Sequence, residues 1–235
     1  MSDDLKEKCG IFGIWSKDLD VARTAFFGLF ALQHRGQEAS GLATSDGTKF
    51  HFAHGPGLVS QVYTEEKIEK LKGHIAIGHN RYSTSRGLEE TETSHVQPFL
   101  VTNDRSTLVH NGNLPSVLKV TEFLKSRGVN VNNANDSKLM HLAIETYMDD
   151  GMTLPEAVAA AYPLFTGAFS LIVMGKNELV AVRDQYGMRP FSVGIIGDST
   201  FLFASETCAL ETVGADLYWD VGPGEMLVVT DGSIT

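Results

Sequence analysis

The sequence is poor in cysteine, poor in basic residues and free of long apolar runs. Two cysteines, Cys9 and Cys208, occur in 235 residues. Two thiols make neither a metal-ligand pattern nor a disulfide framework, so no metal is expected and a reducing, cytoplasmic compartment is. Lys and Arg number 19 against 29 Asp and Glu, a formal charge of −10. The basic residues are scattered, which excludes a nucleic-acid binder that must replace counterions with clustered cations. No stretch approaches the ~20 apolar residues of a membrane helix. The N-terminus, Met1-Ser2-Asp3-Asp4-Leu5-Lys6-Glu7-Lys8, is charged and has no apolar segment behind it, so it is not a secretory signal. What is present is a core-forming composition, 43% hydrophobic with 20% charged, at the length of one large domain.

The patterning predicts a mixture of hairpins and short helices. Cys9-Gly10-Ile11-Phe12-Gly13-Ile14-Trp15 reads as a buried strand that begins at the cysteine. Val21, Ala25 and Leu29, with Ala22, Phe26 and Phe30, form the apolar stripe of a helix capped by Asp18 or Asp20. Turn signals at Asp46-Gly47, Lys176-Asn177 and Gly197-Asp198 separate strand pairs. Strands are expected over 74–79, 98–102 and 106–110. Asn113 is expected to cap a helix with Pro115 in its first turn. Asp136 opens another helix, and Thr153 with Glu156 forms the capping box of a third. From Gly167 onward the pattern reads as strand throughout. Hairpins with a few intervening helices predict an α+β fold of antiparallel sheets covered by helices. No G-x-G-x-x-G follows a strand, so a dinucleotide-binding sheet is not expected.

Five polar segments interrupt this pattern. They are Cys9-Gly10-Ile11-Phe12-Gly13, Gln33-His34-Arg35-Gly36-Gln37-Glu38-Ala39-Ser40-Gly41, Gly78-His79-Asn80-Arg81-Tyr82-Ser83-Thr84, His110-Asn111-Gly112-Asn113 and Asn135-Asp136-Ser137. Each alone reads blandly: a buried thiol, an Asn-Gly turn, a helix cap. Their joint order resembles the class II glutamine amidotransferases, whose glutaminase is an N-terminal-nucleophile (Ntn) hydrolase. Arg183-Asp184-x-x-Gly187-x-Arg189-Pro190, Ala204-Ser205-Glu206 and Gly222-Pro223-Gly224-Glu225 resemble the amidophosphoribosyltransferase branch of that family. The resemblance runs from Cys9 to the end of the chain.

The resemblance implies a four-layer αββα sandwich of two antiparallel sheets, the Ntn-hydrolase fold. It implies that residues 1–8 are a propeptide and residues 9–235 the amidotransferase domain, with no phosphoribosyltransferase domain in this chain. Cys9 would be the nucleophile that forms a thioester with L-glutamine and releases ammonia. A free α-amine on Cys9, with a pKa of ~7.7–8.0, can take the thiol proton near neutrality; a lysine at ~10.4 would be a poor base. Asn111 and Gly112 would be the oxyanion hole, Arg81 the clamp on the substrate carboxylate and Asp136 the partner of its ammonium group. Thr84, Ser85 and the backbone at Gly36 would complete the pocket. Tyr82 is expected to pack, the alternative being that it couples the glutaminase to a partner domain; the segment from Arg183 to Pro190 is expected to shape a turn, and Cys208 to be a buried structural thiol.

The implied partner is a phosphoribosyltransferase domain or chain that uses ammonia on phosphoribosyl pyrophosphate, in a homo-oligomeric full enzyme. Mg2+ with that substrate, and the iron–sulfur cluster of some relatives, would lie outside this region, so no cofactor is expected here. Two other readings are a glutaminase serving another acceptor, as in hexosamine synthesis, and a catalytically silent glutamine-binding module.

Overall fold

The computed structural model describes residues 9–82, 96–100 and 103–235. Two sheets are formed, and every strand pair in them is antiparallel. The strands are β1 Gly10–Trp15, β2 Ala39–Ser45, β3 Phe50–Pro56, β4 Ile75–Arg81, β5 Thr107–Ser116, β6 Thr166–Met174 and β7 Glu178–Arg183. They continue with β8 Ser192–Ile196, β9 Thr200–Ala204, β10 Leu217–Asp220, β11 Met226–Thr230 and β12 Ser233–Ile234. One sheet runs β10-β8-β9-β1-β4-β2-β3, the other β12-β11-β7-β6-β5.

The helices are α1 Val21–Ala31, α2 Val59–Val62, α3 Glu65–Lys70, α4 Leu118–Ser126, α5 Asp136–Asp149, α6 Leu154–Ala161 and α7 Thr207–Thr212. Asp20 caps α1 by accepting from the Arg23 N–H, and Thr153 with Glu156 forms the capping box of α6.

Strand alternation builds the layers, because successive side chains point to opposite faces. Ile11 and Trp15 of β1 join Ile77, Val109, Ile172 and Leu179 in a core between the sheets. Phe12 and Ile14 point the other way, into a second core with Val21, Ala25, Leu29 and Leu210 of α1 and α7. On the far sheet, Leu171, Val173 and Val180 turn outward to meet Leu139, Ala143 and Val158 of α5 and α6. Three cores between four layers are the expected αββα sandwich. Among the described residues no helix is long and apolar enough to cross a membrane.

Three local expectations fail. Asn113 caps no helix; it stays in β5 opposite Ala168, and a register irregularity follows between Asn113 and Ser116. Pro115 falls within that irregularity, where a missing N–H costs the ladder nothing. The segment after β9 is not all strand, since α7 lies there. Residues 98–100 form no strand, and 101–102 lie outside the described residues.

Candidate active site

Cys9 immediately precedes β1, the central strand between β9 and β4. Its backbone adopts φ +68°, a left-handed conformation unusual for a residue with a Cβ. Arg35 holds it there: the Cys9 N–H donates to Arg35 O at 3.1 Å, and Arg35 Nε donates to Cys9 O at 2.7 Å. Burial pushes the Cys9 thiol up. The Tyr82 backbone N–H at the sulfur and the charges of Arg81, Arg35 and Arg189 partly offset that push.

The Gln33–Arg35 turn sets this arrangement. Gln33 ties it to α2 by accepting from the Val59 N–H at 2.7 Å, and its side chain donates to Gly36 O at 2.5 Å. Arg35 is only 2% exposed, and its guanidinium pairs with Glu206. Gly36 lies against the end of β4, where a Cβ would come within 2.7 Å of the Asn80 and Arg81 backbone. Only glycine allows that approach. Arg81 ends β4 and makes an ion pair with Glu38, Nε to Oε2, at 3.5 Å. The β1–β4 register pairs Gly10 with Asn80, so the chain leading to Cys9 runs beside Arg81.

Asn111 and Gly112 lie on β5 of the facing sheet. Gly112 has φ +154°, and a Cβ there would sit 2.2 Å from Ala168 O. Asn111 is fully buried, with Nδ2 3.4 Å from Ser205 Oγ and Oδ1 unpartnered. The same Ser205 hydroxyl accepts from the Ile11 N–H at 3.0 Å. Ser205 thus links the Asn111 amide to the strand that carries Cys9. Turning the amide over would let Oδ1 accept the Ser205 O–H and leave Nδ2 as an available donor.

Asp136 is the first residue of α5, but Asn135 is the cap, accepting from the Lys138 N–H. Asp136 instead reaches β5, where its Oδ2 accepts from the Leu114 N–H at 3.3 Å. Next to it, Ser137 Oγ lies 3.0 Å from His110 Nδ1 and accepts from Gln97 Nε2 at 2.9 Å. Gln97 Oε1 accepts from the His110 N–H at 2.6 Å. Burial pushes His110 down; Asp136 opposes that push and Arg189 adds to it.

The structure therefore brings Cys9, Gly36 and Arg81 together around β1 and β4, and Asn111, Gly112 and Asp136 together around β5. Thr84 and Ser85 lie outside the described residues. Tyr82 is 39% exposed, so it is not the packed residue expected. Cys208 is half-buried rather than buried and touches Glu206 Oε2. The segment from Arg183 to Pro190 is a turn, as expected: Arg183 donates to Gly187 O, Arg189 O and Val221 O. The sequence by itself assigns no role to Ser205, Gln97 or Glu38. Ser205 and Glu38 fall inside the quoted motifs, which was the available signal; Gln97 had none.

The sequence profile of the glutamine amidotransferase domain matches residues 79–212. An amidophosphoribosyltransferase of Synechocystis is 38% identical over 99% of this chain and 48% of its own length. That of Bacillus subtilis is 35% identical over 97% and 47%. The solved glutamine phosphoribosylpyrophosphate amidotransferase of B. subtilis, complexed with ADP and GMP, superposes with a TM-score of 0.84 at 34% identity. It is covered over 48% of its length, and this chain over 97%. The chain spans about half the length of these relatives. A glutamine aminotransferase class-II domain protein from Silicibacter pomeroyi, at 12% identity and a TM-score of 0.57, shares the fold. This chain belongs to the glutamine amidotransferase domain family.

Proposed function

We propose that the chain is the glutaminase half of an amidophosphoribosyltransferase. Its relatives carry that name over essentially all of this chain. The observation that carries the chemistry is the junction at β1: a thiol ringed by Arg35 and Arg81, tied through Ser205 to the Asn111 amide.

In this reading Arg81 grips the glutamine α-carboxylate with parallel hydrogen bonds and Asp136 takes the α-ammonium. Thr84, Ser85 and the Gly36 backbone close the pocket. The Cys9 sulfur attacks the side-chain amide carbon. Its proton passes to the Cys9 α-amine and then to departing ammonia, and water cleaves the thioester to glutamate. Asn111 Nδ2 and the Gly112 N–H stabilise the oxyanion; loss of one such donor typically raises the barrier by ~2.7–4 kcal/mol.

This mechanism needs a free amine on Cys9, so residues 1–8 act as a propeptide. The positive φ at Cys9 favours their removal. A left-handed residue costs roughly 1–2 kcal/mol, and φ ceases to exist once the preceding peptide bond is cut. The ammonia is destined for phosphoribosyl pyrophosphate on a phosphoribosyltransferase half, giving phosphoribosylamine. Mg2+ and any iron–sulfur cluster belong with that half.

Incubation with a diazoketone analogue of glutamine, followed by mass spectrometry of adduct and N-terminus, tests the assignment. The expected product is a single adduct on an N-terminal Cys9. An unlabelled chain that releases no glutamate and still begins upstream of Cys9 would overturn it.

A further inference from the structure

We propose that His34, Glu206 and Cys208 form a three-ligand site for a zinc-class divalent cation, on the protein surface and outside the glutamine pocket. The imidazole, carboxylate and thiol each present one ligand atom, and all three atoms lie within 4.8 Å of one another. His34 Nε2 is 2.9 Å and Cys208 Sγ 3.7 Å from the same oxygen, Glu206 Oε2. Zinc bonds of ~2.0–2.3 Å place tetrahedral ligand atoms roughly 3.3–3.8 Å apart. The trio needs only small side-chain rotations to reach that spacing. A mixed N, O and S set suits zinc better than magnesium or calcium, which prefer oxygen.

A second observation is independent of the clustering. His34 Nδ1 lies 3.1 Å from Ala31 O. A carbonyl only accepts, so Nδ1 faces Ala31 O as a donor, and that contact holds the ring with Nε2 turned to the Glu206 carboxylate. A backbone carbonyl on the far nitrogen is how metal-binding histidines are usually oriented. A proton on Nε2 would satisfy the His34–Glu206 pair but leaves Cys208 with only a weak S–H bond. A metal engages all three.

The site is open, because His34 is 56% exposed on its side chain and Glu206 32%. Arg35 does not block it: the guanidinium takes Glu206 Oε1, and Oε2 faces His34 and Cys208. The fourth position belongs to water. Binding forms bonds from the metal to nitrogen, oxygen and sulfur. It releases the thiol proton to solvent, with no change of oxidation state, and therefore weakens in acid.

Cobalt(II) is the probe for the ligand set and zinc for affinity. The 235-residue chain should bind one equivalent of either and show a near-ultraviolet thiolate-to-cobalt band. Cys208→Ser should remove the band, and Cys9→Ser should leave it. His34→Ala should weaken zinc roughly 10–100-fold, at least the loss seen when a supporting partner is removed. Unchanged urea midpoints without metal would show that both variants fold; should Cys208→Ser not fold, the exposed His34→Ala decides alone. No bound equivalent, a band that follows Cys9, or zinc affinity indifferent to His34→Ala would overturn the proposal.

Discussion

Arg35 and Cys9 grip each other through both backbone groups of the cysteine, the N–H on Arg35 O at 3.1 Å and the carbonyl under Arg35 Nε at 2.7 Å. The contact with Arg35 O would survive conversion of the amide nitrogen to an amine and would fix where the amine's lone pair points. Arg35→Ala removes the carbonyl's partner and the Glu206 ion pair together. It should lower stability by roughly 3 kcal/mol, the low end for a broken buried pair because Glu206 keeps some solvent. Arg35→Lys should recover part of the urea midpoint through Glu206 but not the glutaminase rate, since an ammonium lacks the second prong of the fork. Equal recovery of both would show that charge alone matters.

Burial raises the Cys9 thiol despite three nearby guanidinium groups. In the unprocessed chain the thiolate should therefore form above the ordinary thiol range near ~8.5. Iodoacetamide rates at Cys9, followed by peptide mass mapping, should be slow at pH 7 and rise with a midpoint above that of free cysteine. A midpoint at or below the free value would mean the arginines outweigh burial.

The residues proposed for this site come from the order of five motifs that resembles the class II glutamine amidotransferases; their chemistry makes those motifs visible. Cys9, Arg81, Asn111, Gly112 and Asp136 are polar or small residues set into otherwise apolar strands and helix starts, so they break the pattern that packing alone would give. Gly36 and Gly112 stand where any Cβ would strike backbone within 2.7 Å. The misreadings have local causes. Asn113 and Pro115 carry a helix-start signature, but pairing with Ala168 and Thr166 keeps that segment extended. Helix α7 is six residues long, too short for a 3.6-residue period to declare itself. All four residues of β10 are exposed, so no alternation marks it. The Ala204-Ser205-Glu206 motif marks Ser205 without giving its role, because its partners Ile11 and Asn111 are 194 and 94 residues away.

The His141 imidazole is fully buried, with Nε2 3.0 Å from Ser106 Oγ and Glu145 one turn further along α5. Burial pushes it down from 6.5 to about 3. The unfolded chain therefore takes a proton near pH 6.5, whereas the folded chain takes it only near 3. Between those values the unfolded state binds more protons, so stability falls as pH falls, by about 1.4 kcal/mol per pH unit. His141→Gln keeps a polar group beside Ser106 and removes that proton. Its urea-derived stability between pH 6 and 4 should be flatter than wild type by about that slope. An unchanged slope would mean that His141 is already charged in the fold.

Ser205 offers the sharpest test of how the two sheets share one site. Its hydroxyl satisfies the buried Ile11 N–H beside the nucleophile and meets the Asn111 amide on the facing sheet. Ser205→Ala leaves the Ile11 N–H without its acceptor, a loss of about 1–3 kcal/mol in stability. It also removes the group that would hold Oδ1 of a turned-over Asn111 and keep Nδ2 on the oxyanion. If the hydroxyl sets that amide, kcat should fall roughly tenfold or more while KM for glutamine barely moves, because Arg81 and Asp136 still bind the substrate. Ser205→Thr, which restores the hydroxyl, should recover kcat ahead of the urea midpoint. A variant that loses stability but retains full kcat would confine Ser205 to the fold and leave Asn111 oriented by other means.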